Sequence, residues 1–244
     1  MRRLSFLRLC KPAYLRNFVL MSAWIKQSLG VAAKDANSEV KTRYALNALG
    51  MFVVTTIAIM LFATAGETLS TGTLAGVLWI VIFFSAMAGL GRSFVSEEER
   101  GTAMFLRLLA PSGAVFSGKL LFNILLLLAL NAGVTVLFLL VMNVAVKTVS
   151  LFLLTLVAGS LGLASASTVV AAIIARAHAK NALYPVLAFP LLVPLVVLVV
   201  DATRMSFDGL PLVGEGGRDV VLMAAYTAAV IGVSSILFDV IWKD

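Results

Sequence analysis

The sequence predicts an all-α integral membrane protein, and three observations lead there. Hydrophobic residues make up 61% of the 244-residue chain, charged residues only 13%, and the mean hydropathy is +1.05. A soluble domain does not solvate that much apolar surface. Several apolar runs reach the roughly 20 residues needed to cross a hydrocarbon core of about 30 Å. In lipid, backbone polar groups must pair within their own segment, which makes these runs helices. Six spans are expected, at 46–65, 74–90, 120–146, 149–175, 183–200 and 220–242, leaving no soluble domain of useful size. The chain therefore divides into a cytoplasmic N-terminal segment, 1–44, and a six-span domain, 45–244.

The N-terminal segment is the most charged part, with nine Lys and Arg. Met1-Arg2-Arg3 imitates the start of a signal peptide, but Arg8 interrupts the apolar stretch and no small-residue cleavage site follows. The single cysteine, Cys10, excludes an internal disulfide and any CxxC motif. Phe18, Met21, Ile25 and Leu29 recur at helical spacing with Asn17, Lys26 and Gln27 on other faces. That pattern predicts a helix lying in the membrane interface.

The connections set the orientation. Besides the nine N-terminal basic residues, one side carries Arg92, Arg100, Arg107, Lys119, Arg176, Lys180 and Lys243. The other carries only Lys147, Arg204 and Arg218, so the first side, with both termini, is cytoplasmic. The same bias accounts for the net charge of +7 and the pI near 9.9. A nucleic-acid partner is not implied, because no basic-aromatic stripe accompanies the charge. Lys119 reads as an interfacial anchor at the cytoplasmic end of the third span.

Within the spans, Gly159, Ser160, Gly162, Ala164, Ser165, Ala166 and Ser167 predict close helix packing in the fourth. Asn123, Asn131 and Asn143 in the third either join helices by hydrogen bonds or line a polar path. Pro185, Pro190 and Pro194 predict a kinked or locally opened fifth span, serving as a hinge or simply tolerated by its neighbours. The segment 201–219 is expected to be a polar, Gly-rich periplasmic loop. Deep ionisable residues are nearly lacking, with Asp239 near the cytoplasmic end of the sixth span the nearest case, which argues against ion-coupled transport.

Catalytic constellations are missing as well. The single histidine, His178, sits in a short basic loop, and no HExxH, Ser/His/Asp set or carboxylate pair on one face is visible. The chain reads as a non-enzyme with no bound metal or cofactor. Gly113 to Lys119 has the spacing of a Walker A loop, but Leu120 replaces the Ser or Thr that binds magnesium, and no nucleotide-binding domain follows.

The most elaborate connection, Arg92 to Lys119, is also the most functional-looking. It reads Phe94-Val-Ser-Glu97-Glu98-Glu99-Arg100-Gly101-Thr102-Ala-Met-Phe105-Leu106-Arg-Leu108-Leu109-Ala110-Pro111, then Gly118-Lys119. This resembles F-x-x-E-x-x-x-G-T-x-x-x-x-L-x-L-A-P followed by G-K, with the first leucine displaced by a residue, as found in the cytochrome c maturation protein B (CcmB, haem exporter protein B) family. The proline pattern of the fifth span and the approach Lys41 to Leu49 are similar too.

The resemblance implies an ABC transporter permease subunit of the bacterial inner membrane, with a short cytoplasmic coupling helix between spans two and three. That helix docks on a separate ATPase subunit (CcmA-like), which binds the ATP. Other implied partners are a haem-handling membrane subunit (CcmC-like), a small single-span subunit (CcmD-like) and membrane lipid. Haem is the implied cargo of the complex, either exported or carried away on a released periplasmic chaperone. The implied ATPase contacts are Glu97, Glu98, Glu99, Arg100, Gly101, Thr102, Phe105, Leu106, Leu109 and Pro111. The alternatives are an exporter permease for another substrate and an assembly scaffold that needs no ATPase; gene neighbourhood discriminates, an adjacent ATPase together with a tryptophan-rich haem-handling membrane protein deciding for the leading reading.

Overall fold

In a computed structural model, residues 13–42, 44–64, 67, 69–90, 94, 97, 101–175 and 180–243 are described. Among these the chain is helical with no strand. The helices are α1 (Ala13–Thr42), α2 (Tyr44–Ala63), α3 (Thr71–Leu90), α4 (Ala103–Leu109), α5 (Ser112–Val141), α6 (Val149–Ala175), α7 (Lys180–Asp208) and α8 (Gly217–Lys243).

Five helical stretches are long and apolar enough to cross a membrane: Thr71–Leu90, Ser112–Val141, Val149–Ala175, Leu187–Asp208 and Leu212–Trp242. At the place of the expected first span, α2 contributes a shorter apolar stretch, Leu49–Ala63. Helix α6 is central, packing against α3, α5, α7 and α8. Its small residues allow this. A Cβ on Gly159 would lie 2.4 Å from the Trp79 ring of α3, and one on Gly162 would lie 2.7 Å from Leu195 of α7.

The asparagines of α5 divide by position. The Asn123 amide donates to the Thr168 hydroxyl at 2.8 Å and that of Asn131 to the Ser160 hydroxyl at 2.7 Å, both buried. They join α5 to α6, as the first of the two readings holds. Asn143 is not in the helix. It follows α5 in a turn with φ of 50°, a left-handed conformation that asparagine tolerates.

Two expected boundaries move. Helix α5 begins eight residues before the expected third span, so Gly113 to Lys119 is helix, and the Walker-like spacing has no loop to form. Helix α7 continues through the expected periplasmic loop to Asp208. There Arg204 and Asp201 pair at 2.7 Å across one turn, and the Trp79 indole N–H donates to Thr203 at 2.8 Å. A polar surface of i,i+3 pairs supports a helix that hydropathy alone ends too early.

Helix α7 also runs through Pro185, Pro190 and Pro194 without interruption. Pro194 leaves the carbonyl four residues before it without its donor and disturbs that turn. That carbonyl belongs to Pro190; at the next residue the Tyr226 hydroxyl of α8 donates to the Leu191 carbonyl at 2.8 Å, a polar contact from a facing helix beside the disturbed turn.

Candidate functional site

The segment between α3 and α5 is organised around Glu97. Its backbone carbonyl accepts from the Thr102 N–H at 3.0 Å, and its carboxylate accepts from the Thr102 hydroxyl. Gly101 between them has φ of 68°, a left-handed conformation that glycine adopts without strain. The reversal delivers the chain into α4. Ala110 and Pro111, both extended, then turn it into α5, where the Pro111 carbonyl receives the N–H groups of Ala114 and Val115.

Helix α4 has two unlike sides. Leu106 is buried, and the Arg107 guanidinium sits 5.3 Å above the Trp242 ring of α8. Met104, Phe105, Leu108 and Leu109 are 69–76% exposed. Four large apolar side chains are thus uncovered on seven residues, a patch of the kind that faces either another protein or lipid.

Behind α4 lies a closed group of four charges. Lys119 is fully buried, with its ammonium 3.0 Å from Asp35 of α1 and 3.5 Å from Glu97. Lys34 of α1 pairs with Glu97 and lies 3.2 Å from Asp35. Two cations and two anions on three chain segments thus neutralise one another. The Lys119 ammonium also sits 4.9 Å from the Phe94 ring centroid. Burial alone would raise the Glu97 carboxyl, but Lys119, Lys34 and the Thr102 hydroxyl outweigh it and lower the pKa to about 2. Burial would lower Lys34, yet Glu97 and Asp35 raise it above its usual value.

These positions correct the sequence reading of Lys119. It is not an interfacial anchor but a buried ion-pair member in the third turn of α5, so an ionisable residue does lie inside a membrane-length helix. Its neighbour Gly118 explains how α1 reaches it. A Cβ there would lie 2.5 Å from the Ser28 carbonyl and 2.8 Å from Val31, so the two helices touch backbone to backbone. Ser28 and Ser117 share a hydrogen bond at 2.8 Å beside the contact. The buried face of α1 is therefore Ser28, Val31, Ala32 and Asp35, whereas Ile25 and Leu29 of the expected apolar stripe are exposed. The side chains of Phe18 and Met21 lie outside the described residues.

The other expected site residues separate accordingly. Glu97 and Leu106 are turned inward; Gly101, Thr102, Phe105, Leu109 and Pro111 are exposed. Glu98, Glu99, Arg100 and His178 lie outside the described residues. Asp239 accepts a hydrogen bond from Ser112 at the start of α5, tying the end of α8 to the α4–α5 corner. Phe94, Phe116, Phe238 and Trp242 pack there as well, with centroids 5.2–6.4 Å apart. Pro190 and Pro194 are exposed on α7 and take no part in this group. Among the described residues no three His, Cys, Asp or Glu side chains gather as a metal site.

Sequence reasoning missed Lys34 and Lys119 as partners of Glu97, and Asp35 as the second acid that holds both lysines. The available signal was that a lysine inside a helical apolar stretch needs an acid, and Asp35 and the 97–99 run were the nearby acids on that side. Comparison with known families gives one match: the family model described as CcmB protein covers residues 26–238. No curated protein matched the chain.

Proposed function

Since the chain belongs to the CcmB family, that of haem-exporter ABC permeases in cytochrome c maturation, we propose that it couples a separate ATPase subunit to haem delivery. In this reading α4 is the coupling helix. ATP hydrolysis on a CcmA-like subunit moves α4, and the membrane helices convert that movement into haem export or release of a haem-loaded chaperone. Haem is cargo and ATP belongs to the partner. The chain itself supplies no catalytic group. CcmC-like and CcmD-like subunits complete the assembly.

Topology follows from the same reading. Helix α2 crosses the membrane as the first of six spans, and α1 lies along the cytoplasmic interface with Trp24, Ile25 and Leu29 toward lipid. Residues 1–44 and 45–244 are then the cytoplasmic segment and the permease domain. Both termini and α4 face the cytoplasm of a bacterial inner membrane. The basic-residue bias supports this orientation.

The observation that carries the proposal is the uncovered apolar face of α4, Met104, Phe105, Leu108 and Leu109, beside an anchored side formed by Leu106 and Arg107. A coupling element needs both a free face for the partner and a fixed attachment to the permease. Deletion of the gene with staining for covalent c-type haem tests the function: loss of stained cytochromes is expected, and unchanged staining overturns the reading. Co-purification of an ATPase subunit with the wild-type chain tests the partner.

A further inference from the structure

We propose that Glu97 and Lys119 are positioning residues through which movement of α4 is transmitted to α1. The proposal rests on the coupling role of α4 given above. Three observations carry it. First, Glu97 is attached to the start of α4 twice, through its carbonyl and its carboxylate, both bonded to Thr102. Second, the same carboxylate is paired with Lys34 of α1 and with Lys119 of α5. Third, α1 and α5 are themselves in backbone contact at Gly118 and Ser28, so they form one unit at this end.

Besides the chain connection through Ala110 and Pro111 into α5, a displacement of α4 therefore acts on the carboxylate of Glu97, which is bonded to the start of α4 and paired with α1. Charges suit this task because the energy of ion pairs made to a fully buried ammonium depends steeply on geometry, whereas apolar packing tolerates sliding. Replacing buried ion pairs with apolar or neutral groups of similar size is often tolerated by the fold, so stability alone does not explain four charges in this place. Their best-attested use is to fix the register of packed elements. Here the register is that of α1 against the α4 segment. Asp35 completes the arrangement by holding Lys119 from the α1 side, so that Lys119 answers to both segments.

The test measures distances. With Cys10→Ser as background, spin labels go on Lys26→Cys of α1 and Leu108→Cys of α4, both exposed; because Leu108 lies on the face offered to the ATPase, only labelled preparations that retain that subunit are measured as the complex. In the purified complex with its ATPase, the wild-type label separation is expected to stay constant between nucleotide-free and nucleotide-bound states. In Glu97→Gln/Lys119→Met, the separation is expected to change on nucleotide binding, because α4 then moves without α1. A variant indistinguishable from wild type in both states overturns the proposal.

The neutral triple Asp35→Asn/Glu97→Gln/Lys119→Met, which leaves no unpaired buried acid, repeats the measurement if the double variant does not fold. The chain purified alone provides a second arm without any partner. There the distance distribution is expected to be narrow in wild type and broad in the triple variant, and equal widths overturn the positioning role. Failure of an ATPase to co-purify with the unlabelled wild-type chain overturns the coupling reading instead, while the single-chain arm still decides the positioning of α4 against α1.

Discussion

The ammonium of Lys119 lies 3.0 Å from the carboxylate of Asp35, across 84 residues of sequence and with no part of the lysine exposed. Removing one member of a fully buried pair costs about 3–5 kcal/mol; here Lys34 stays 3.2 Å from Asp35, so the expected cost lies below that range. Lys119→Ala is therefore expected to lower the unfolding temperature sharply in detergent, and Lys119→Ala/Asp35→Asn to recover part of it. A double variant no better than the single one would show that the pair is not coupled.

Gly118 and Gly113 make a matched comparison on the same helix. A Cβ at Gly118 would meet the Ser28 backbone carbonyl at 2.5 Å, whereas one at Gly113 would meet the Trp24 ring at an ordinary 3.6 Å. Gly118→Ala is expected to push α1 off α5 and cost about 1–3 kcal/mol, as overpacking does. Gly113→Ala is expected to be neutral or slightly stabilising. Thermal unfolding of the two variants side by side checks the order, and equal effects would contradict the close contact.

Opposite outcomes are expected on the two sides of α4. Phe105→Asp and Leu109→Asp change exposed positions and are expected to leave unfolding unchanged while removing ATPase co-purification. Leu106→Asp places a charge at a buried position and is expected to destabilise the chain itself by several kcal/mol, on the order of a buried unpaired charge. Stability loss in all three variants would mean that the outer face is covered within the chain.

Acid titrates the Glu97 contribution. Its carboxyl is held at about 2 against an ordinary 4.5, so the stability it adds is complete above pH 4.5 and is lost as pH falls through 2. Unfolding measured across this range is expected to show a wild-type advantage over Glu97→Gln that is constant above 4.5 and shrinks below it. An advantage that does not change with pH would mean that Glu97 is not ionised in its place.

Arg107 over Trp242 gives a smaller expectation. Arg107→Ala removes a cation–π contact of about 0.5–2 kcal/mol between α4 and α8. Tryptophan fluorescence at this end of the molecule is expected to shift with little loss of overall stability. An unchanged emission spectrum counts against the contact.

What the sequence made legible and what it hid follow one physical line. Hydropathy located the membrane-length helices because the solvent on that scale is lipid, and α6 has the residues expected of it. Small residues at Gly159 and Gly162 and amides at Asn123 and Asn131 were readable because each needs only a close neighbour, whichever helix supplies it. The pairing of Lys119 with Asp35 was missed, since counting basic residues assigns a side of the membrane and not a depth. The same limit placed the start of α5 too late. Ser112, Gly113, Ser117, Gly118 and Lys119 lower the local hydropathy, but α1 packs on Ser117, Gly118 and Lys119, and all five continue the helix. In the coupling segment the acidic run drew attention as a whole, while the fold assigns its first member, Glu97, to the interior.

The contact of Gly159 with Trp79 has a consequence for how this protein can vary. The Trp79 ring and Val199 of α7 already fill the space beside Gly159, so atoms added at position 159 must be removed around it, first from the ring at 2.4 Å. The two positions behave as one quantity of volume shared by two codons. A relative carrying Ala or Ser in place of Gly159 is therefore expected to carry a smaller ring, or none, in place of Trp79.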